Sequence, residues 1–388
     1  MGKNFKMLAK TLYGMEELLA TELRQLGASA IETGTRNVSF EGDTGFMYKA
    51  NLCCRTAIKI LKPITAFNVF NEDDLYRKIY DIEWEDYMDE NGSLAIDATV
   101  FSKQFTHSQF VSFKTKDAIV DRFRDRTGSR PDVDLDHPSL RINIHIDRNI
   151  CTVSLDSSGV SLHKRGYKTE TTLAPINEVL AAGMIMLSGW TGQCDFMDPM
   201  CGSGTILAEA AMIACNIPPN LNRDEFGFET WPDFDPDLYE LIENAALKKI
   251  KDFHFKIYGF DIDAVAVKKA KQNIKNANLQ DFVEISKKDF FESEKENNKQ
   301  LHLLFNPPYD ERLSVSDISE FYGNIGNTLK RGYPGSKAWM ISSNMEALKN
   351  VGLRPSKKIK LYNGKLESRL VCYELYEGSR KAKKKIRD

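Results

Sequence analysis

The second half of the chain alternates short apolar runs with segments of helical periodicity, and this feature constrains the fold most. After a helix with one apolar face over residues 176–187, the runs are DFMDP, FKIYGFD, LHLLFNPP and AWMISSN, with helices predicted from Thr205, from Ala264 and near Phe321. Such alternation is typical of βαβ units, which build a mostly parallel sheet covered on both faces. The runs LYNGKL and RLVCYELYEG follow without a helix between them. We therefore predict a doubly wound α/β domain that ends in an antiparallel hairpin.

The first half mixes short strands with helices. MEELLATELRQLG has apolar residues at helical spacing and a helix stop at Gly27. Val38 and Phe40 alternate with polar residues, as do SLAIDATV and LRINIHIDRNICTVSLD, in which Asp147-Arg148-Asn149 predicts a hairpin turn. This mixture indicates small α+β modules, not one parallel sheet.

Composition and charge exclude several classes of protein. With 388 residues the chain is expected to form more than one domain, and its net charge of −2 argues against coating nucleic acid by bulk charge. No stretch has the length of an apolar membrane span, and the start MGKNFKMLAK lacks the core of a signal peptide. Seven cysteines without a CxxC pair or a Cys/His cluster predict neither disulfides nor a metal site. We expect a cytoplasmic protein with no membrane contact.

The first chemical motif lies where a predicted strand ends and a helix begins. Ligands of open α/β sheets bind at such turns, glycines let the backbone approach a ligand, and helix N-termini offer free N–H groups. A P-loop needs a lysine where Gly204 stands, and the dinucleotide fingerprint needs a glycine where Leu207 stands. A purely structural turn remains an alternative. The predicted cofactor contacts are Asp198, Pro199, Met200, Gly202, Ser203, Gly204 and Thr205.

The second motif, Gly259-Phe260-Asp261-Ile262-Asp263, closes the next predicted strand. An acidic residue at this place can accept hydrogen bonds from both hydroxyls of a ribose. The unphosphorylated ribose of S-adenosylmethionine suits this role, so we assign it to Asp261 with Ile262 beside it, and helix capping to Asp263. After the following strand, Asp289 is expected to meet the adenine amino group while Phe290 packs on the ring.

The third motif, Asn306-Pro307-Pro308-Tyr309, follows the apolar strand LHLLF and points to methylation of an exocyclic amine. The lone pair of such an amine is delocalised into the ring. Asn306 Oδ1 and the Pro307 carbonyl can each accept one N–H bond, which would aim the lone pair at a methyl donor and relieve the developing charge. Pro308 keeps the turn rigid, and Tyr309 can stack on a base taken out of its stack. This chemistry needs no metal and no nucleophile, so Cys201 is not expected to act as one.

These motifs, in this order, resemble the class I S-adenosylmethionine-dependent methyltransferases acting on amines. Within them the chain resembles the THUMP-domain RNA methyltransferases of the RlmL type, which methylate guanine N2 of 23S rRNA. LHKRGYK at 162–168, FGFE with Trp231, and NPPYDER at 306–312 extend the resemblance over nearly the whole chain. It implies a Rossmann-like methyltransferase domain over 161–378, a ferredoxin-like domain over 1–65, a THUMP module over 66–160 and a basic tail over 379–388.

The resemblance also gives the N-terminal half a function in RNA binding, through local basic patches. A charge run is as often a merely solvated face, and this interpretation stays open for residues 114–130 and for the tail. The insertion from Phe226 to Trp231 can belong to the base pocket or pack over a sheet. The predicted RNA contacts are Lys114, Lys116, Arg122, Arg126, Lys164 and Arg165.

Three interpretations remain. The leading one is a guanine-N2 methyltransferase of 23S rRNA, with tRNA as the alternative substrate because tRNA-modifying members of the family share the architecture. A DNA adenine or protein glutamine methyltransferase uses a similar third motif but is disfavoured by the THUMP-like half. A non-catalytic RNA-binding assembly factor is disfavoured because all three motifs are intact.

Overall fold

The computed structural model describes residues 3–171, 175–296, 299–308 and 315–376. The chain divides into two compact units. The first is built from the residues up to Thr11, Leu19–Leu162 and Arg223–Ala245. The second is built from Leu12–Leu18, His163–Asn222 and the residues from Ala246 on. Each unit contains one sheet.

The elements have the following bounds. The strands are β1 (Phe5–Thr11), β2 (Ser29–Gly34), β3 (Asn37–Gly42), β4 (Ala57–Asn68), β5 (Ser93–Phe101), β6 (Asp132–Val133), β7 (Leu140–Asp147), β8 (Ile150–Asp156), β9 (Asp195–Asp198), β10 (Ile257–Asp261), β11 (Val283–Lys287), β12 (Leu301–Phe305), β13 (Lys337–Ser342), β14 (Lys357–Asn363) and β15 (Leu366–Glu374). The helices are α1 (Glu16–Leu26), α2 (Thr44–Cys53), α3 (Glu72–Tyr80), α4 (Ser108–Thr127), α5 (Glu178–Ser188), α6 (Thr205–Ala214), α7 (Pro236–Leu247), α8 (Ala264–Asn276), α9 (Val315–Gly332) and α10 (Ala347–Asn350).

The first unit is organised by one eight-stranded sheet in the order β2-β3-β1-β4-β8-β7-β5-β6. Long β4 is shared: residues 57–61 pair with β1 and residues 61–68 pair with β8. The helix stop at Gly27 and the hairpin turn between β7 and β8 form as predicted. The predicted boundary between the first two modules, at 65/66, falls inside β4. The two modules therefore share a continuous sheet, which sequence spacing did not reveal.

The second unit confirms the predicted doubly wound architecture. Its sheet has the order β11-β10-β9-β12-β13-β15-β14. The first five strands are parallel, and β15 and β14 form the expected antiparallel edge. Strand β9 lies between β10 and β12. The strands that follow it in sequence are therefore added first on one side of β9 and then on the other. Among the described residues, no helix is both long and apolar enough to span a bilayer.

Close packing of helices on this sheet positions the loops at the carboxyl ends of its strands. Helix α5 is buried on every side over Glu178–Ile185, so the expectation of a single apolar face was wrong. Helix α6 lies so close to β10 that a Cβ on Gly259 would collide with the Leu207 side chain. On the other side of the sheet, Phe305, Tyr322 and Met340 belong to a buried cluster. Gly259 therefore permits α6, the helix that follows the first motif, to approach β10 closely.

Candidate functional site

The three motifs follow three adjacent strands of the second unit. The loop 198–205 leaves β9, Asp261 ends β10, and Asn306 follows β12. Because β10, β9 and β12 are neighbouring parallel strands, their carboxyl ends meet at one edge. That edge contains the point where strand order reverses, which is where open α/β sheets bind ligands.

The loop after β9, residues 198–205, is held by hydrogen bonds of its backbone N–H groups; we call it the cofactor loop, after its predicted role. Cys201 N donates to the Phe260 carbonyl at 3.0 Å, and Gly202 N donates to Asp261 Oδ2 at 2.9 Å. Gly204 has a φ of +83°, which favours glycine, and a Cβ there would lie 3.1 Å from Ala270 Cβ of α8. The first two motifs are therefore bound directly to one another.

Asp263 has the predicted capping role, and the ribose contact of Asp261 stays a prediction. Asp263 accepts from Val265 N at 2.9 Å and is the N-cap of α8, so the predicted cap is confirmed. Asp261 is half-buried and accepts from Gly202 N and, at 3.0 Å, from Asp263 N. Each carboxylate oxygen keeps a lone pair for a further donor, as ribose hydroxyls require. Ile262 beside it is 64% exposed, an apolar surface suited to an adenine ring.

Asp198 is a buried carboxyl group at the start of the cofactor loop. It is 1% exposed and accepts from Met200 N at 3.1 Å. Burial raises the pKa of its carboxyl to about 8; the charge of Asp261 acts in the same direction, and the Met200 N–H opposes it. The site therefore holds a carboxyl group that is largely protonated at neutral pH.

The neighbouring cysteine is unsuited to thiol chemistry. Burial, with the charges of Asp198 and Asp261, raises the pKa of the Cys201 thiol well above its usual value. A thiolate is the nucleophilic form of cysteine. This agrees with the expectation that Cys201 does not act as a nucleophile.

Asp289 and Phe290 are engaged in local structure. Asp289 Oδ1 accepts from Phe291 N at 2.8 Å and opens a short 3-10 turn. The Phe290 ring is 3% exposed and packs near Phe305 and Tyr333 in the core. Packing in the core is enough to account for an apolar side chain at Phe290. Its contact with adenine stays a prediction.

Asn306 presents an unpaired acceptor at the same edge. Its Oδ1 is buried, and no group among the described residues donates a hydrogen bond to it. Thr205 Oγ1, at the end of the cofactor loop, is likewise buried without a partner within the described part of the chain. Buried polar atoms are normally satisfied, so two such atoms, one directly after β12 and one at the start of α6, fit a site completed by a ligand. Pro307 is buried and Pro308 is exposed.

Some predicted positions lie outside the described residues: Tyr309, the segment 310–312 and the basic tail. Their roles stay predictions.

Two of the predicted RNA contacts are corrected. Arg122 is 6% exposed, and its Nε lies 2.9 Å from Glu85 Oε2. Arg165 is fully buried, with its Nε 3.2 Å from Glu209 Oε1 and its Nη1 3.1 Å from Asn220 Oδ1. Both guanidinium groups serve internal ion pairs, so neither is available to phosphate. The sequence alone could not reveal this burial, because the buried and the exposed cations of a basic segment look alike in sequence.

The other predicted RNA contacts are more accessible. Arg126 and Lys164 are exposed, and Lys114 and Lys116 are half-buried. Lys114 lies over the Tyr76 ring, and Lys116 Nζ is 2.8 Å from Asp117 Oδ1. Arg126 and Lys164 therefore remain the best placed of the predicted set.

The aromatic insertion belongs to the first unit. The Phe228 ring stacks on Tyr48 with centroids 4.3 Å apart, and Thr230 Oγ1 donates to the Ser139 carbonyl at 2.7 Å. Trp231 is 5% exposed and lies under the ammonium of Lys62. Of the two interpretations of the insertion, these contacts support the one in which it packs over a sheet.

Three family models match the chain. The RlmL ferredoxin-like domain matches residues 6–61, the THUMP domain matches 69–156, and the RMKL-like methyltransferase domain matches 165–371. The methyltransferase model by itself covers more than half of the chain.

Curated relatives and solved structures are similar over nearly the full length. A Synechocystis protein, provisionally named an RNA methyltransferase, is 37% identical over 94% of this chain and 95% of its own. The ribosomal RNA large subunit methyltransferase K/L of Syntrophotalea carbinolica is 37% identical over 96% of this chain and 54% of its own. The chain thus spans about half the length of the relatives that bear the K/L name.

Two crystal structures share both fold and sequence with the chain. SMU.472, titled a methyltransferase in complex with S-adenosylhomocysteine, has a TM-score of 0.85, 30% identity and coverage of 98% of this chain and 100% of its own. A Listeria monocytogenes protein described as a predicted N6-adenine-specific DNA methylase has a TM-score of 0.84, 30% identity and coverage of 96% of this chain and 97% of its own.

Proposed function

Because the chain belongs to the RMKL-like methyltransferase family, we propose that it transfers a methyl group from S-adenosylmethionine to the exocyclic N2 amine of a guanine in 23S ribosomal RNA. The methyltransferase and THUMP models support an enzyme that modifies RNA with this cofactor. The names of the K/L relatives support the choice of large-subunit rRNA.

The unpaired acceptor of Asn306 carries the chemical part of the proposal. S-adenosylmethionine supplies an electrophilic methyl group when bound. The cofactor loop, Asp261 and the exposed face of Ile262 would hold it at the strand ends beside Asn306. Asn306 Oδ1 and the Pro307 carbonyl would each accept one N–H of the target amine, which orients its lone pair and disperses the positive charge. Preorganised acceptors of this kind typically lower the activation barrier by a few kcal/mol.

The test is methyl transfer from labelled S-adenosylmethionine to 23S rRNA, 16S rRNA, tRNA and duplex DNA in parallel, followed by nucleoside digestion. We compare the wild type with Asn306→Ala and with Asn327→Ala, an exposed position on α9. We expect N2-methylguanosine in 23S rRNA, lost by roughly 100-fold or more in Asn306→Ala and unchanged in Asn327→Ala.

The other outcomes separate the alternatives. Label in tRNA would keep the chemistry and overturn the choice of rRNA. Label in duplex DNA as N6-methyladenine would favour the activity named for the Listeria structure. Binding of S-adenosylhomocysteine without label in any substrate would favour a non-catalytic RNA-binding role.

A further inference from the structure

One asparagine of α8 divides its whole hydrogen-bonding capacity between the cofactor loop and residues 169–170. Asn273 is 1% exposed. Its Nδ2 donates to the Ser203 carbonyl at 2.9 Å and to the Glu170 carbonyl at 2.8 Å. Its Oδ1 accepts from Thr169 N and Glu170 N, both at 3.2 Å. A primary amide has two donors and two acceptor positions, so every one of them is in use.

These bonds fix one peptide plane of the cofactor loop. The Ser203 carbonyl and the Gly204 N–H belong to the same planar peptide unit. Asn273 holds the oxygen of that unit, and the Cys201 carbonyl accepts from its N–H at 2.8 Å. With both ends held, the turn cannot rotate without breaking a buried hydrogen bond. The orientation of the backbone that would face a cofactor therefore depends on Asn273.

The same face of α8 also holds residues 167–171, which we call the entry segment. Lys269 Nζ donates to the Thr171 carbonyl at 2.6 Å. Asn276 Nδ2 donates to the Tyr167 carbonyl at 3.1 Å and to Thr169 Oγ1 at 2.9 Å. These two side chains secure the entry segment at its ends, and Asn273 binds its middle. Of the three, Asn273 is the one that bonds to the cofactor loop as well.

We propose that Asn273 is a positioning residue that couples the cofactor loop to the entry segment, so that binding of the cofactor and ordering of residues 169–170 favour each other. The proposal rests on the proposed function, because it assumes that the loop binds S-adenosylmethionine. Coupling of this kind is reciprocal: what the segment contributes to cofactor affinity, the cofactor returns to the segment.

Asn273→Asp is the sharpest variant, because it keeps size and shape while replacing two N–H donors by a carboxylate oxygen. That oxygen would face the carbonyls of Ser203 and Glu170. The matched control is Asn276→Ala, which loosens the entry segment from the same helix face without touching the loop. Affinity for S-adenosylhomocysteine is measured by calorimetry, and amide hydrogen exchange is followed at Thr169 and Glu170.

We expect Asn273→Asp to weaken S-adenosylhomocysteine binding at least 10-fold and to raise the KM for S-adenosylmethionine with little change in kcat. Asn276→Ala should weaken binding clearly less than Asn273→Asp does, because the bonds of Asn273 to both the segment and the loop remain. In the wild type, S-adenosylhomocysteine should slow exchange at Thr169 and Glu170 at least fivefold. Unchanged exchange there, with the ligand bound, would overturn the coupling even if the variant fails to fold.

Equal affinity in the wild type and a folded Asn273→Asp would overturn the inference alone. Equal weakening in Asn273→Asp and Asn276→Ala would also overturn it, since the segment and not the link to the loop would then matter. A wild-type chain that binds no S-adenosylhomocysteine would overturn the proposed function together with the inference.

Discussion

Asp198 shows how a single buried group links the site to the stability of the second unit. In the unfolded chain its carboxyl titrates near the ordinary value of about 4. Burial in the folded state raises its pKa to about 8. Between these values the folded state keeps a proton that the unfolded state has lost, so stability falls as pH rises through this window and is constant above it.

Replacing the carboxyl by an amide removes this dependence. Asn at position 198 keeps the Oδ1 acceptor for Met200 N but does not ionise. We expect the unfolding free energy of Asp198→Asn to match that of the wild type near pH 4 and to exceed it by roughly 5 kcal/mol at pH 9, because a rise in pKa from about 4 to about 8 corresponds to that free energy. Thermal unfolding across this pH range measures the difference. A difference in unfolding free energy between the two proteins that does not change with pH would contradict the raised pKa.

Arg165 shows that a basic stretch of sequence can contain a buried cation. Its sequence neighbourhood, HKRGYK, looks like a basic patch, yet its guanidinium is fully buried beside Glu209. Lys164, one position earlier, is exposed. Direction of a side chain, and not its charge, decides which of two adjacent cations can meet phosphate.

At the scale of elements, the insertion between α6 and β10 is the clearest departure from sequence order. Residues 223–245 lie within the predicted catalytic segment, yet they form part of the first unit. Phe228 N donates to the Ser157 carbonyl at 3.1 Å, and Asp235 N donates to Tyr48 Oη at 3.1 Å. Three aromatic rings of this insertion, Phe226, Phe228 and Trp231, are buried core residues of the first unit.

Phe228→Ala tests this assignment. Truncating a buried phenylalanine typically costs about 3–5 kcal/mol, and Phe228 is 1% exposed against Tyr48. We expect a loss of that size in the urea unfolding transition of the first unit, with unchanged affinity for S-adenosylhomocysteine. Leu241→Ala, in the same insertion but 66% exposed, should change stability by less than about 0.5 kcal/mol.

The reverse pattern would restore the other interpretation of the insertion. If Phe228→Ala kept full stability but lost methyl transfer to RNA, the ring would belong to the base pocket.

At the scale of the whole molecule, a net charge of −2 means that RNA binding must depend on local groups of exposed cations and not on bulk charge. Arg126 and Lys164 are the exposed members of the predicted set. They lie in different units. Phosphate contacts contribute to affinity uniformly across sequences and release counterions, so their loss should weaken binding and its salt dependence together.

The double variant Arg126→Glu/Lys164→Glu should therefore raise the KM for RNA by about 10-fold or more at low salt and flatten the dependence of binding on salt. Affinity for S-adenosylhomocysteine should not change. Lys365→Glu, an exposed charge reversal in the β14–β15 turn, is the control. Wild-type affinity for RNA in the double variant would remove these two residues from the predicted RNA contacts.

The sequence by itself determined the architecture of the catalytic unit and the order of its motifs. Alternating apolar runs and helices specify parallel strands, because only buried strands joined by helices produce that pattern. The cofactor loop, Asp261 and Asn306 follow from the same logic, since each ends a strand. The N-cap role of Asp263 was also readable, because a cap depends on neighbours in the chain.

Tertiary structure alone decided what depends on distant partners. The sharing of β4 by two modules, the burial of Arg122 and Arg165, and the placement of residues 223–245 in the first unit all come from contacts far apart in sequence. Asn273 is the same case: its spacing on α8 marks a buried face, but its partners at 169–170 and 203 lie about 100 and 70 residues away. Local pattern fixes where a side chain sits on its element, whereas packing fixes what it meets.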